Sequence, residues 1–332
     1  MSEQTMRAVW CEDFGPIEAM TIQTVPRPAP GAGEVLIKVR AAGIGFVDLL
    51  IASGRYQVKP PLPFAPGSEY AGEIVGLGEG VTAVSVGQRV IGWGFTGAFA
   101  EYAVAPAAGL TVIPDSLSDA DAAGFRVNYG TAYHGLVDRG RAQAGETLLV
   151  LGAGGALGSA AVQVGKALGL TVIAAASSAD KRDYALSLGA DAAVDYTAPN
   201  WREALKGLTD KLDLVFDSVG GAYAEPAFRS LAWGGRHLVV GFAAGTIPAL
   251  PFNLALLKGA DLVGVDYARF GIFHQPAKNL ANTKVLLDWV ESGKLQPLPG
   301  KTIPFADFAS ALGAVAGRSA VGRLVLDLRH EA

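Results

Sequence analysis

The alternation of apolar and polar positions changes character part-way along the chain. From Met6 to about Pro114 the apolar runs are short and bounded by turn residues, and Glu34 to Arg40 alternates as a half-buried strand does. From about Asn128 onward, strand-like apolar runs alternate with helical ones. The pattern predicts an α/β protein with a β-rich first part, resembling a barrel, and a second part built on a parallel sheet.

The later part of the chain adds further elements. Three runs are apolar on both faces, as buried parallel strands are, and they cover residues 212–217, 235–241 and 261–265. Beyond about Lys278 the pattern predicts an amphipathic helix around Trp289, a second helix at 305–316 and a last strand at 323–326. Because this last strand follows a helix, we expect it to rejoin the first domain.

The segment from Thr147 to Ala190 carries the strongest functional signal. A strand at 147–151 is followed by a glycine-rich turn, a helix and a second strand at 170–176. This unit binds a dinucleotide pyrophosphate, because glycines admit the phosphates and the helix start offers unpaired N–H groups. The predicted contacts are Gly152, Gly154, Gly155, Ala156, Leu157 and Gly158. The alternative is a doubly wound domain that binds no dinucleotide.

The end of the second strand distinguishes NADPH from NADH. Enzymes that prefer NAD usually carry an acidic residue there, which accepts hydrogen bonds from the ribose hydroxyls. Here the strand leads into Ser177 and Ser178, with Lys181 and Arg182 close behind. Hydroxyls and cations suit a 2′-phosphate, so NADPH is the predicted cofactor. Alternatively, the two cations are only the solvated start of the next helix.

Composition limits the class of protein. A chain of 332 residues, half of them hydrophobic, is long enough for two cores, and its net charge of −4 argues against nucleic acid or an anionic membrane as a partner. We find no signal-peptide pattern and no uninterrupted apolar run of membrane-spanning length. Cys11 is the single cysteine, which excludes disulfides within the chain and favours a reducing, cytoplasmic location.

Over nearly its full length the chain resembles the medium-chain dehydrogenase/reductase superfamily, in its zinc-independent quinone oxidoreductase (zeta-crystallin-like) branch. The motifs that carry the resemblance lie at 41–48, 66–72, 130–133, 152–158, 217–220 and 319–323. The resemblance implies a GroES-like catalytic domain interrupted by a Rossmann domain, with the active site in the cleft between them. The implied bounds are 1–127 and 268–332 for the catalytic domain, and 128–267 for the Rossmann domain. It also implies a homodimer that pairs through the edge strand near 261–265.

The resemblance bears on metal binding as well. Zinc-dependent relatives need two thiolates and an imidazole around the ion, but Gly45 and Ser68 occupy two of these positions. The four histidines, His134, His237, His274 and His330, show no spacing typical of a metal site. We therefore expect no metal. Without a Lewis acid the substrate must accept hydride readily by itself, as quinones and other conjugated carbonyl compounds do.

The family pattern also suggests roles for individual residues, each with a plainer alternative. Tyr56 would donate a hydrogen bond to the substrate carbonyl, or it only packs on a loop. Asp48 would act near the substrate, or it orients the loop or caps a helix. Thr131 would contact the nicotinamide, or it caps a helix. Tyr196 would lie near the adenosine phosphate beside Lys181, or it is a strand-end aromatic residue. Further cofactor contacts implied by the resemblance are Val219, Gly241, Phe242 and Arg323.

Three hypotheses about function follow. The first is an NADPH-dependent reductase of quinones or similar conjugated carbonyl compounds, although many quinone oxidoreductases carry Asn where this chain has Gly45. The second is an enoyl-CoA reductase acting on a thioester such as acryloyl-CoA, which would need a basic patch drawn from residues such as Arg55, Lys59, Arg269 or Lys278. The third is an NADPH-binding regulatory or structural module with little turnover.

Overall fold

The computed structural model describes residues 4–16, 20–297 and 300–329. The chain divides into two compact units, Met1–Val127 with Pro299–Ala332, and Asn128–Leu298. The first unit is β-rich and the second alternates strands with helices, as the hydrophobic pattern predicts.

The elements are numbered along the chain. The strands are β1 (Thr5–Trp10), β2 (Thr21–Pro26), β3 (Glu34–Ile44), β4 (Glu69–Leu77), β5 (Arg89–Trp93), β6 (Tyr102–Pro106), β7 (Thr111–Val112), β8 (Thr147–Leu151), β9 (Thr171–Ala175), β10 (Ala192–Val194), β11 (Leu214–Asp217), β12 (Arg236–Val239), β13 (Asp261–Gly264), β14 (Lys301–Pro304) and β15 (Leu324–Asp327). The α-helices are α1 (Phe46–Ala52), α2 (Asp119–Ala122), α3 (Phe125–Tyr133), α4 (Ala156–Ala167), α5 (Ala179–Ser187), α6 (Trp201–Leu208), α7 (Ala224–Ser230), α8 (Phe252–Lys258), α9 (Tyr267–Arg269), α10 (Pro276–Glu291) and α11 (Phe308–Ala316).

The first unit is built around the long strand β3. Its sheet has the order β14-β15-β3-β4-β5-β7, with β6 also paired to β3 and with β1 and β2 forming a separate ribbon. Val35, Ile37 and Val39 are buried whereas Lys38 and Arg40 are half-buried, which confirms the predicted alternation. The last strand, β15, runs antiparallel to β3. The end of the chain thus returns to the first unit, as predicted.

The second unit is a Rossmann-type parallel sheet. Its strand order is β10-β9-β8-β11-β12-β13, so that successive strands run outward in one direction from β8 and then in the other direction from β11. Strand β8 is apolar on both faces, and the side chains of Leu148 to Leu151 are fully buried. Covering both faces with helices buries these side chains, which explains the lack of alternation in the sequence. The α/β fold class with GroES-like and Rossmann parts is thereby confirmed.

The unit boundary near the end of the chain lies later than the sequence indicates. Residues 268–298 belong to the second unit, although the resemblance assigned them to the catalytic domain. Helix α10 accounts for the difference: Trp289 packs edge-on against Tyr133 at 5.5 Å between ring centroids, and Asn282 bonds to Asp138. Both partners lie in the second unit. Among the described residues no helix has the length and apolarity needed to cross a membrane.

Candidate functional site

The glycine-rich turn between β8 and α4 brings backbone into close contact. Gly152 has a positive φ of 75°, and a Cβ built on Gly158 would fall 2.1 Å from the Gly152 carbonyl oxygen. The N–H of Gly155 donates to that same oxygen at 3.0 Å. A Cβ on Gly155 would meet only this oxygen, at 3.6 Å. The start of α4 is therefore open to an approaching anion, whose charge the helix dipole favours.

Lys181 lies directly against this turn. A Cβ built on Gly154 would fall 2.5 Å from the Lys181 Cβ, so the aliphatic stem of the lysine passes over the glycine backbone. Ser178 caps α5, accepting from the Lys181 N–H at 3.4 Å, and Ser177 beside it is exposed. Three of the predicted 2′-phosphate groups thus lie at the carboxyl end of β9, next to the phosphate-binding turn.

Arg182, the second cation of the segment, is engaged elsewhere. Its guanidinium pairs with Asp195 at 3.0 Å and donates to the Ala176 carbonyl oxygen at 3.2 Å. The arginine therefore ties the start of α5 to neighbouring backbone. Of the two adjacent cations, Lys181 is the one placed at the turn.

Of two predicted cofactor contacts that follow later strands, Val219 lies against the same turn and Gly241 lies against Ser218, the residue before Val219. A Cβ on Gly152 would fall 2.9 Å from Val219 Cγ2, and a Cβ on Gly241 would fall 3.2 Å from the Ser218 carbonyl oxygen. The carboxyl ends of β8, β11 and β12 therefore converge. This is the edge at which open parallel sheets bind ligands, at the point where the strand order reverses.

Asp217 organises the loop that follows β11. Its Oδ1 accepts from the N–H groups of Val219 and Gly220, at 2.9 and 2.7 Å, and its Oδ2 lies 3.0 Å from His237 Nε2. Phe242 flanks this loop, because a Cβ on Gly220 would fall 2.9 Å from its ring. The buried carboxylate therefore fixes the loop at Val219 and Gly220, and Phe242 packs against Gly220 of that loop.

Tyr196 and Thr131 have different surroundings within the second unit. The Tyr196 ring lies 4.5 Å from the Tyr223 ring, which is the packing expected of a strand-end aromatic residue. Thr131 is buried inside α3, two residues before its end, so it does not cap that helix. The helix-cap alternative for Thr131 is therefore wrong. Its contact with the nicotinamide stays a prediction.

Asp48 is buried at the start of α1 in the first unit. Its Oδ2 accepts from the Gly45 N–H at 2.7 Å, which is the capping role considered as an alternative. Burial raises the pKa of this carboxyl to about 6, although hydrogen bonds from Gly45 and Ser68 act in the opposite direction. A Cβ on Gly45 would lie 3.5 Å from the Asp48 Oδ2, so the backbone here leaves room for a side chain.

Tyr56 follows α1 and is half-buried. Its ring lies 6.3 Å from the Phe95 ring, tilted by 47°. Nearby Arg55 is exposed and its Nε donates to the Ser53 hydroxyl at 2.9 Å. The structure therefore places Tyr56 and Asp48 on the same short segment of the first unit.

Comparison with known proteins finds a matching protein family for each of the two units. Residues 31–115 match the family described as alcohol dehydrogenase GroES-like domain, and residues 156–282 match the zinc-binding dehydrogenase family. Quinone oxidoreductase-like protein 2 of Mus musculus is 36% identical over 97% of this chain and 92% of its own length. The chain belongs to the quinone oxidoreductase-like family of the medium-chain dehydrogenase/reductase superfamily.

Two solved structures of this superfamily's fold are similar over nearly the whole chain. A mycobacterial protein solved in complex with NADPH is 30% identical, with a TM-score of 0.90 over 97% of this chain and all of that one. The CurK enoyl reductase is 25% identical, with a TM-score of 0.87 over 98% of this chain and 99% of that one. The predicted family is therefore confirmed, and with it an oxidoreductase type of protein.

In this medium-chain dehydrogenase/reductase the sequence analysis did not identify one buried glutamate as a candidate site residue. Glu69 is 2% exposed, and its carboxylate accepts from the N–H groups of Arg126 and Val127 at 2.6 and 2.9 Å. Burial raises its pKa to about 7, whereas these N–H groups and the charges of Arg126 and Arg323 act in the opposite direction. The only signal was an acidic residue inside the apolar motif 66–72.

Arg323, a predicted cofactor contact of the family, is buried in the first unit. Its Nη1 donates to the Asp121 carbonyl oxygen at 2.8 Å, and its charge acts on Glu69. These contacts attach the beginning of β15 to the segment that precedes α3. A contact between Arg323 and a cofactor stays a prediction.

The described histidines of this chain are separated. His134 Nδ1 lies 2.8 Å from Asp138 and His237 pairs with Asp217, whereas His274 is exposed. His330 lies outside the described residues. Within the described ranges, no three His, Cys, Asp or Glu side chains come together in a group that could hold a metal ion.

Proposed function

We propose that this chain is an NADPH-dependent oxidoreductase that transfers hydride to a quinone or another conjugated carbonyl compound, without a catalytic zinc ion. The observation that carries the proposal is the packing of Lys181 on Gly154. This contact holds a cation beside the phosphate-binding turn of a Rossmann sheet whose second strand ends without an acidic residue.

The residues of the second unit fit a bound NADPH. The N–H groups at the start of α4, from Ala156 to Gly158, would receive the pyrophosphate, and Gly155 has no side chain to obstruct it. Lys181 with Ser177 and Ser178 would hold the 2′-phosphate through charge-assisted hydrogen bonds. Val219, Gly241 and Phe242 would line the path toward the nicotinamide. A similar mycobacterial protein was solved in complex with NADPH, which supports this reading.

When bound, NADPH supplies a hydride to the acceptor. Tyr56 would donate a hydrogen bond, and then a proton, to the substrate oxygen on which negative charge develops. Asp48 holds the start of α1 through Gly45 and so positions the segment that carries Tyr56. Gly45 and Ser68 stand where zinc-dependent relatives carry ligands, and neither glycine nor serine is a usual zinc ligand. A conjugated acceptor is proposed because it needs no Lewis acid.

Reduction of an enoyl thioester is the second candidate for the same chemistry. Two cations anticipated for a basic patch, Arg269 and Lys278, line one cavity of the second unit. The similarity to the CurK enoyl reductase supports the same possibility. An NADPH-binding module with little turnover is the third candidate, and the assay below separates it from both.

We also propose that the chain forms a homodimer through the edge strand β13. Leu262 on this strand is 52% exposed, and Phe252 and Leu256 of the preceding helix α8 are 88% and 78% exposed. Exposed apolar side chains beside an unpaired strand edge are costly in water, and a second copy would cover both. Sedimentation velocity of wild type and Leu262→Glu tests this pairing: the substitution is expected to yield monomers.

The proposed function is tested by steady-state NADPH oxidation with benzoquinone, phenanthrenequinone, a neutral alkenone and acryloyl-CoA, each repeated with NADH. We expect reduction of quinones or the alkenone, with NADPH clearly preferred. Preference for acryloyl-CoA would favour the enoyl reductase. Binding of NADPH without reduction of any acceptor would favour the binding module.

A further inference from the structure

An open cavity of about 630 Å³ lies in the second unit, at the carboxyl end of the edge strand β13. Its lining residues are His134, Asp138, Arg139, Gly264, Asp266, Arg269, Phe270, His274, Gln275 and Lys278. All of them belong to the second unit, and none was predicted to contact the cofactor. Three arginine and lysine side chains face two carboxylates, so the lining is cationic.

Two π-helical turns form the walls of this cavity. One covers His134–Arg139 and continues α3, and the other covers Phe270–His274 and continues α9. The His134 ring stacks on the Phe270 ring at 3.8 Å with an angle of 14°, which joins the two turns. π-Helical turns are rare and are found mostly at functional sites, where they redirect side chains.

Both carboxylates of the lining are already engaged. Asp138 lies within 2.8 Å of His134 Nδ1, Asn282 Nδ2 and Lys278 Nζ, and these hydrogen bonds lower its pKa to about 2 although burial opposes them. Asp266 accepts from the backbone N–H of Arg269 at 3.0 Å and so caps α9. Little negative potential remains to repel an anion.

The two arginines keep donors available. Arg139 Nε donates to the Gly264 carbonyl oxygen at 3.0 Å, which holds the guanidinium at the cavity. Its terminal nitrogens make no hydrogen bond or ion pair with the part of the chain that the structure describes. The Arg269 side chain is exposed and has no hydrogen-bond or ion-pair partner among the described residues. Paired guanidinium groups bind phosphate with particular geometric fit.

The position of the cavity relates it to the proposed reaction. Thr131, for which the family pattern predicts a contact with the nicotinamide, precedes His134 by three residues on one continuous helical path. Three residues span roughly 5 Å along a helix axis. A substrate that extends away from the nicotinamide along this helix would reach the cavity.

We propose that this cavity binds a phosphate group of the substrate, so that the chain also accepts the second candidate acceptor, an unsaturated thioester whose carrier bears phosphates, as CoA does. This inference rests on the proposed NADPH-dependent reduction and names its substrate class. Arg139 and Arg269 donate hydrogen bonds to the phosphate, and the positive charge of Lys278 adds to the attraction. The site is separate from the segments that would hold the 2′-phosphate of NADPH.

Calorimetric titration of CoA into the NADP⁺-saturated full chain tests the site, because saturation removes competition at the dinucleotide turn. We compare wild type with Arg139→Gln, Arg269→Gln and the control Arg229→Gln, an exposed arginine of α7 paired with Glu225. Each cavity variant is expected to weaken CoA binding about tenfold, and the control to leave it unchanged. Equal affinity in all four proteins would overturn the proposal. Arg269 makes no side-chain contact whose loss would unfold the protein, so its variant keeps the test decisive.

Kinetics distinguish a substrate phosphate from a free anion. Arg269→Gln is expected to raise KM for acryloyl-CoA about tenfold relative to KM for a neutral alkenone. If pyrophosphate binds with the same dependence on Arg269 but this KM ratio is unchanged, the cavity holds a free anion and the substrate assignment is wrong. Failure of the proposed function would give a different result from failure of the phosphate site. No acceptor would then be reduced, whereas CoA binding could still be measured.

Discussion

The side chain of Lys181 packs on the backbone of Gly154, leaving no space for a Cβ at the glycine: the nearest lysine atom would be 2.5 Å away. Twenty-six intervening residues form α4 and β9, and the parallel pairing of β8 with β9 brings the two residues together. The same residue thus contributes an aliphatic stem to the turn and an ammonium group to its surroundings. The two contributions are separable by substitution.

Lys181→Met keeps the stem over Gly154 and removes the charge. Because a charge-assisted hydrogen bond contributes roughly 1.5–3 kcal/mol, we expect the Kd for NADPH to rise about ten- to hundredfold, with that for NADH unchanged. Fluorescence titration of both cofactors measures this. Lys206→Met, at an exposed position of α6, serves as the control. Parallel losses for NADPH and NADH would contradict the 2′-phosphate role.

Gly158→Ala and Gly155→Ala form a matched pair in the phosphate-binding turn. The first would bring a Cβ within 2.1 Å of the Gly152 oxygen, so α4 must shift, and we expect about 1–3 kcal/mol of lost stability. The second meets that oxygen at an ordinary 3.6 Å, so the fold should keep its Tm. Its methyl group would still stand near the approaching phosphates, and NADPH affinity should fall. Thermal unfolding with and without NADPH separates the two effects. A normal Tm for Gly158→Ala would contradict the close contact.

Tyr56→Phe retains the ring beside Phe95 and removes only the hydroxyl. If Tyr56 protonates the substrate oxygen, kcat for an alkenone should fall about a hundredfold with little change in Tm. Tyr102→Phe, on β6 of the same unit, is the matched control; its ring packs under Arg27. Unchanged kcat in Tyr56→Phe would make this tyrosine a packing residue.

Asp48→Asn should change how stability depends on pH. Burial raises the pKa of Asp48 from 3.8 to about 6. Below pH 3.8 both folded and unfolded chains carry the proton; between these values only the folded chain keeps it, so stability falls as pH rises. Asparagine has no such transition. The free energy of unfolding of wild type relative to the variant should therefore drop by about 2 kcal/mol from pH 4 to pH 7. Urea unfolding at several pH values measures this, and a constant difference would contradict the raised pKa.

Glu69→Gln leaves one oxygen for the two N–H groups of Arg126 and Val127 and turns an amide N–H₂ toward one of them. We expect a loss of about 1–3 kcal/mol at pH 8, where the carboxylate is ionised. Glu73→Gln is the control, because its ion pair with Arg40 is partly exposed and contributes at most about 1 kcal/mol. Equal unfolding free energies for the two variants would show that Glu69 is not a buried anchor.

Contiguous segments of this chain could be interpreted without the structure. The turn 152–158 and its flanking strand and helix are contiguous in sequence, so their residue types reveal both the geometry and the class of cofactor. The alternation in β3 likewise follows from one buried face. Thr131, by contrast, was open to a helix-cap interpretation, because its residue type suits a cap and the sequence does not show that α3 begins at Phe125.

Tertiary structure decided what depends on residues far apart in sequence. Local pattern shows that α10 is amphipathic, but only the contact of Trp289 with Tyr133 assigns it to the second unit. Arg139 and Arg269 are distant in sequence and share a cavity whose walls are two π-helical turns. Sequence by itself determined the fold class, the family and the phosphate-binding turn, since these are written in contiguous residues. Three features arise only when packing joins distant segments. They are the contact of Lys181 with Gly154, the hydrogen bond from the Arg126 N–H to the Glu69 carboxylate, and the cationic cavity.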